Sequence, residues 1–160
     1  MDYQVRKAVP EDLPQVLGLY ENARSFMASR GNPGQWGKTE PKQSRIEADI
    51  REGNLYVVEA QGIHGVFAFL MWEDPTYEVI EQGDWLSREP YGVIHRVASD
   101  GSGGILRAAV SYAEQQIHHL RIDTHEKNLP MQAAIGRLGF TYCGVIYTES
   151  GSPRLAFERL

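Results

Sequence analysis

Residues 91–116 read YGVIHRVASDGSGGILRAAVSYAEQQ, and the change of character along this stretch decides the fold. Tyr91 to Ala98 is rich in β-branched residues and reads as a strand. Asp100-Gly101-Ser102-Gly103-Gly104 follows as a glycine-rich turn that leads straight into a helix running to about Gln116. Glycine permits positive φ and close approach of the backbone to a ligand. Successive N–H groups in such a turn, backed by a helix N-terminus, form a concavity that attracts anions. The same glycines also suit a plain flexible connection, and the turn alone leaves both readings open. It is not a P-loop, because Gly-Lys-Ser/Thr is missing. Nor is it a dinucleotide fingerprint, whose glycine spacing differs and whose strand comes first rather than fourth.

Working outward, Tyr3 to Val9 reads as a short strand, and Pro10-Glu11-Asp12 opens a helix, where proline and acids suit the free N–H groups of the first turn. Leu13, Val16, Leu17 and Tyr20 recur at helical spacing. Glycines and prolines mark Arg30 to Pro41 as loop, and a second helix with Ile46 and Ile50 on one side ends at Gly53. Leu55–Ala60 and Val66–Trp72 form a predicted hairpin around Gln61-Gly62, broken at Asp74-Pro75. After the central stretch, Leu120–Asp123 reads as a strand and Pro130–Leu138 as a helix. Phe140–Thr148 and Arg154–Glu158 read as two closing strands. The order is β-α-α-β-β-β-α-β-α-β-β, without repeats or linkers, which predicts one domain over residues 1–160.

Composition bounds the function classes. Apolar residues make up 42% and charged residues 23% of 160 residues, as in ordinary soluble domains. No apolar run reaches the roughly 18 residues of a membrane span, and the residues up to Val9 carry no signal-peptide apolar region. Net charge of −5 argues against nucleic acid as a partner, because phosphate neutralisation drives that binding. The lone Cys143 allows no internal disulfide and fits a reducing, cytoplasmic setting. Five scattered histidines show no metal-ligand spacing, so no catalytic metal is expected.

Asn128, Met131, Ala134 and Gly139-Phe140 stand at a spacing that resembles the second coenzyme-binding motif of the GNAT (GCN5-related N-acetyltransferase) superfamily. The likeness covers nearly the whole chain, since the element order is that superfamily's order. Gly34-Gln35-Trp36, the Tyr91–Ala98 strand, Arg121 to Asn128 and Gly151-Ser152-Pro153-Arg154 resemble a group of small bacterial members. The resemblance implies an α/β fold with a central mixed sheet of about seven strands, about four flanking helices, and strands 4 and 5 splayed. It also implies acetyl-CoA as co-substrate, a small-molecule or peptide amine as acceptor, and a homodimer paired through the C-terminal strands, as in many relatives. The pantetheine arm is expected along the fourth strand at Val97, Ala98 and Ser99, like an added strand. A backbone N–H there would polarise the thioester carbonyl. The pyrophosphate is expected on the turn from Gly101 through Ser102, Gly103, Gly104 and Ile105 to Leu106, with Arg107 one turn further and Asn128 and Met131 on the second motif.

Three departures from the superfamily pattern bear on activity. The phosphate turn lacks the usual Gln/Arg donor, and Asp100 adds a negative charge beside it. Ile135 stands where many relatives carry a tyrosine that protonates the departing thiolate. Tyr142 is the nearest tyrosine in sequence and stands as candidate acid, against packing in the sheet with its hydroxyl at the rim. Cys143 reads as a buried filler rather than a nucleophile.

His95, two residues before Val97, is the candidate base, since imidazole titrates near neutrality. The competing reading is a histidine satisfied by a backbone carbonyl. His125, after the fifth strand, is a candidate for lining the site. His118-His119 read as helix-end or surface residues, and His64 lies by the hairpin. Trp36, Trp72, Tyr77 and Trp85 are candidate walls of an acceptor pocket, while Glu73 and Asp74 read as solvated loop carboxylates. Two functions stand: an N-acetyltransferase attacking acetyl-CoA directly with an amine, or a catalytically impaired GNAT-fold protein that binds a ligand or a partner.

Overall fold

The predicted strands pair into one seven-stranded sheet, of order β1-β2-β3-β4-β5-β7-β6. The computed structural model describes residues 2–160. The strands are β1 (Gln4–Lys7), β2 (Leu55–Glu59), β3 (Ile63–Leu70), β4 (Gly92–Ser99), β5 (Leu120–Thr124), β6 (Thr141–Tyr147) and β7 (Pro153–Arg159). The helices are α1 (Leu13–Ser29), entered through a 3-10 turn at Pro10–Asp12, α2 (Gln43–Arg51), α3 (Ile105–Gln116) and α4 (Leu129–Arg137). This is the expected order, with β3 beginning three residues earlier than the β-branched run suggests. Every neighbouring pair is antiparallel except β4 and β5.

Two apolar layers sandwich the sheet. On the back, α3 and α4 lay Ile105, Leu106, Ala109, Val110, Ala113 and Ile135 onto Phe67, Phe69, Ile94, Leu120, Ile122 and Phe157. Gly65 permits this contact, because a Cβ there would lie 2.5 Å from the Ile105 side chain. On the front, α1 and α2 pack Val16, Leu19, Tyr20 and Ile46 against Leu55, Val57, Val66, Ala68 and Ala98. The front of the β5–β7–β6 half carries a smaller cluster, Tyr77, Val93, Ile146 and Ala156, covered by the irregular segment that bears Ile80 and Trp85. Each fully buried aliphatic side chain contributes about 1.5–3 kcal/mol. No helix among the described residues is long and apolar enough to cross a membrane.

Two departures from regularity open the sheet at its centre. β4 and β5 pair only at Gly92↔Leu120 and Val93↔Arg121, so Ile94 to Ser99 has no partner on its β5 side and the strands splay. In addition, Val66 pairs with Ala98 and Ala68 with His95, which sets Arg96 and Val97 of β4 against Phe67 alone. This is a β-bulge, with Arg96 in the left-handed region at φ 52. The extra residue resets the alternation: Ile94 and Val97 face the back cluster, while His95 and Arg96 both face the front.

Candidate active site

The splay and bulge open onto a cleft of about 1070 Å³. Its lining includes His95, Arg96 and Val97 of β4, Ile122, Asp123 and Thr124 of β5, and Met131 of α4. The Arg96 conformation is held from both ends. Its carbonyl accepts the Tyr20 hydroxyl at 2.8 Å, and its guanidinium pairs with Asp49 of α2 at 2.9 and 3.0 Å. Burial raises the Asp49 carboxyl above its usual range despite that partner.

His95 sits between two carboxylates. Its Nε2 lies 2.7 Å from Oδ2 of Asp74, and its Nδ1 lies 3.8 Å from Oδ1 of Asp123. Asp74 is buried, and its Oδ1 accepts both the N–H and the hydroxyl of Thr76 at 2.9 and 2.7 Å. Burial alone would raise this carboxyl, but the bonds from His95 and Thr76 hold it below the usual value. An ionised carboxylate only accepts, so Nε2 carries the hydrogen and the neutral ring has its lone pair on Nδ1, toward Asp123. Asp123 is fixed in turn by the hydroxyl of buried Tyr77 at 2.6 Å. The backbone-carbonyl alternative for His95 is not what the fold provides.

Gly104, at φ 85, is the N-cap of α3, and the first helical bond runs from Ala108 N–H to the Gly104 carbonyl. The amides of Ile105, Leu106 and Arg107 are therefore the free donors of the first turn. Ser102 is half-buried, and Arg107 is exposed. Asp100 turns toward the hairpin, where its Oδ2 lies 2.7 Å from His64 Nδ1 while Oδ1 accepts the Ser102 N–H at 2.9 Å. Burial would raise the Asp100 carboxyl, but Ser102 and His64 hold it below its usual value. Val97, Ile122 and Met131 line the cleft with apolar groups that suit a pantetheine arm, and the free amides of α3, outside that lining, suit phosphates. Asn128 serves as the N-cap of α4, its Oδ1 accepting the Met131 N–H at 3.2 Å.

The other predicted residues separate into two groups. Trp36, edge-on to Tyr20, and exposed Trp72 line the cleft. Tyr77 and Trp85 stand behind it: Tyr77 is buried, and Trp85 gives its indole N–H to the Tyr77 carbonyl at 2.9 Å. His125 lies near Gly34 in the α1–α2 loop, outside the cleft lining, and burial with Arg154 nearby depresses its titration. Tyr142 packs edge-on against Phe157, a member of the back cluster, and so occupies the face opposite His95. Ile135 is buried in that back cluster as well, and no proton donor occupies its position. Cys143 is buried, which pushes its thiol up to about 11.

Sequence reading missed four residues. Asp74 is no solvated loop carboxylate. Its burial follows from pairing with His95 and from the bond its N–H gives to Tyr91 Oη at 2.8 Å. Asp123 was legible in principle, because Arg121 and Asp123 alternate with Leu120 and Ile122 and so place two charges on one face of an interior strand. Arg154 reaches across the cleft to the Gln35 carbonyl at 2.8 Å. Gln35 Oε1 also accepts from Asn32 and Asn128 at 2.9 and 3.0 Å, tying the α1–α2 loop to the β5 side. His119 is buried rather than superficial, bonded to Glu158 at 2.6 Å.

A family model described as an acetyltransferase (GNAT) domain matches residues 4–141. No curated protein sequence matches the chain. Among solved structures, a GNAT-family acetyltransferase from Streptococcus agalactiae superposes with a TM-score of 0.89 at 30% identity, covering 99% of this chain and 95% of its own. The ribosomal-protein-alanine N-acetyltransferase from Brucella melitensis gives a TM-score of 0.64 at 20% identity, over 98% of this chain and 99% of its own. A phosphinothricin acetyltransferase from Sinorhizobium meliloti, in complex with acetyl-CoA, gives 0.66 at 14% identity, over 99% and 88%. The last two likenesses speak to the fold alone.

Proposed function

Because this chain belongs to the GNAT acetyltransferase family, we propose that it moves the acetyl group of acetyl-CoA to the amine of a small molecule or peptide by direct attack in a ternary complex. The observation that carries this reading is the His95–Asp74 pair beside the β4 bulge, with the free Nδ1 turned toward Asp123. Acetyl-CoA supplies an activated thioester acetyl. The chain's own residues supply position, charge and a proton acceptor.

An amine arrives mostly protonated at neutral pH, and a carboxylate stabilises its ammonium form. Asp123 offers one carboxylate oxygen to Tyr77 and leaves the other for that ammonium. His95 Nδ1, within 4 Å of Asp123, accepts the proton as the amine is released for attack. Asp74 holds the ring by Nε2–H and stabilises the imidazolium that forms, as carboxylates do behind catalytic histidines. General-base catalysis of this kind is worth about 10²–10⁴-fold, and alignment of two bound reactants adds more. The departing thiolate has no tyrosine at position 135, so it leaves unassisted or takes a proton from solvent.

Ile135 and the donor-poor turn favour a second reading, a GNAT-fold protein that binds a ligand or a partner without turnover. A thermal-shift titration with acetyl-CoA separates the two, since a ligand binding only the native state raises the midpoint. A rising midpoint, followed by thiol release with primary amines, supports the enzyme. An unchanged midpoint at millimolar acetyl-CoA sinks it.

A further inference from the structure

We infer that His64, from the start of β3, belongs to the coenzyme phosphate site and supplies the positive charge that the glycine turn itself lacks. The inference rests on the acetyl-CoA reading above. It starts from the valence of the ring. His64 Nδ1 lies 2.7 Å from Asp100 Oδ2, and Nε2 lies 3.0 Å from the Ala60 carbonyl. Both partners are pure acceptors. A neutral imidazole has one N–H and would meet one of them with a lone pair, whereas the imidazolium satisfies both. The arrangement therefore selects the cation.

The surroundings contain little else to set that charge. From the turn, Asp100 and the Ser102 hydroxyl, at 3.4 Å from Nδ1, face the ring. From just before β1, Tyr3 lies with its ring centroid 6.2 Å away and spends its hydroxyl on the Gly103 carbonyl at 2.8 Å. From β2, Glu59 directs its carboxylate to Arg6 at 3.1 Å. Asp100 is thus the carboxylate that His64 neutralises, and it sits five to seven residues before the free amides of Ile105, Leu106 and Arg107. Without His64⁺, the turn presents a bare carboxylate where phosphate oxygens must dock. With it, the turn is neutral, and the N–H groups of α3 act on the phosphates without opposition. A hairpin residue in this way replaces the basic side chain that relatives carry in the turn.

The sign of the pH dependence follows. The bond to Asp100, then that to Ala60, raises the His64 titration above its usual value. The cation is complete below about pH 6.5 and is lost as pH rises through the raised value, so coenzyme affinity is highest on the acid side. Asp100, held low, stays ionised throughout.

The test is calorimetric titration of coenzyme A into the wild type, His64→Gln and Asp100→Asn between pH 6 and 9 at fixed ionic strength. Gln keeps a hydrogen bond to Asp100 without the charge. The wild type should weaken by roughly three- to tenfold across the range, the size expected for one partly screened charge. His64→Gln should start at the weak limit, and Asp100→Asn should stay tight. Titration of the coenzyme's own phosphates is common to all three and cancels in the ratios. A wild-type to His64→Gln ratio that stays constant with pH overturns the inference while leaving the acetyl-CoA reading intact. Absence of coenzyme binding in all three proteins overturns both. A second readout needs no ligand: the His64 Cε1–H resonance should titrate above the usual histidine value and move back in Asp100→Asn. A midpoint at or below that value overturns the inference alone.

Discussion

Two histidine–carboxylate pairs of almost equal length do opposite work in this molecule. His95–Asp74, at 2.7 Å, lies at the cleft, with the histidine side chain 22% exposed. His119–Glu158, at 2.6 Å, is 3% and 0% exposed. The bond is the same; what differs is the fate of the second ring nitrogen. In His119 it lies 3.1 Å from the Pro90 carbonyl, so both nitrogens are spent on acceptors. Glu158 also binds Arg121 at 2.7 Å, and that guanidinium is sandwiched 4.0 Å from the rings of Trp85 and Tyr91. In His95 the second nitrogen faces Asp123 across an opening. Only a histidine with an unspent lone pair at a cleft can take a proton from a substrate. The buried pair, with Arg121, instead pins the irregular segment at Leu86, Ser87 and Pro90 onto the sheet.

The sharpest way to break this contrast is Glu158→Ala. It leaves Arg121 and His119 buried without their anion, which costs about 3–5 kcal/mol. For a chain of this size that is a fall in melting midpoint of roughly 10 °C or more. Turnover of surviving folded enzyme, measured well below the transition, should change little. A melting midpoint within a degree or two of wild type would mean that the buried pair carries no structural load.

His95→Ala should invert the pattern. Acetyl transfer to a primary amine should fall by roughly 10²–10³-fold in kcat/KM, while coenzyme A binding by calorimetry stays near wild type. Loss of coenzyme binding in place of rate would remove His95 from the role of base. Asp74→Asn probes the same pair more gently. Its amide offers an N–H toward the ring and turns the lone pair to Nε2, away from the acceptor. A loss of about 10–100-fold follows from the wrong tautomer, with the fold intact because both residues are similar in volume. An unchanged pH–rate profile in this variant would break the tautomer argument.

What the sequence disclosed and what it hid divide along the same line. Elements were legible because each is encoded locally: β-branched content in Tyr91 to Ala98, helical spacing from Ile105, glycine at 104 where the backbone turns left-handed. The splay was legible through resemblance. The bulge was not, because Arg96 becomes left-handed only when Phe67 of another strand faces two residues. Asp74 looked like a solvated acid because its neighbours are Glu73 and Pro75. Its burial depends on His95, 21 residues away, and on the Tyr91 hydroxyl. Pairings made across the sheet leave no periodic trace, and the candidate site consists of such pairings.

Tyr142 shows how sequence proximity misleads where faces alternate. It lies close to the second coenzyme motif and is the nearest tyrosine to the isoleucine that replaces the usual acid. Yet a proton donor must reach the sulfur in the cleft, and Tyr142 does not line it. The bulge at Tyr142/Gly144 and pairing with Phe157 set this side chain on the back of the sheet, half-exposed. Tyr142→Phe removes only the hydroxyl and keeps the edge-on contact with Phe157. Its kcat/KM should stay within about twofold of wild type, as should its stability, since surface changes of this kind move folding by less than about 0.5 kcal/mol. A tenfold loss confined to kcat would show that the hydroxyl reaches the departing thiolate, and would reopen the assignment of the acid on the face opposite His95.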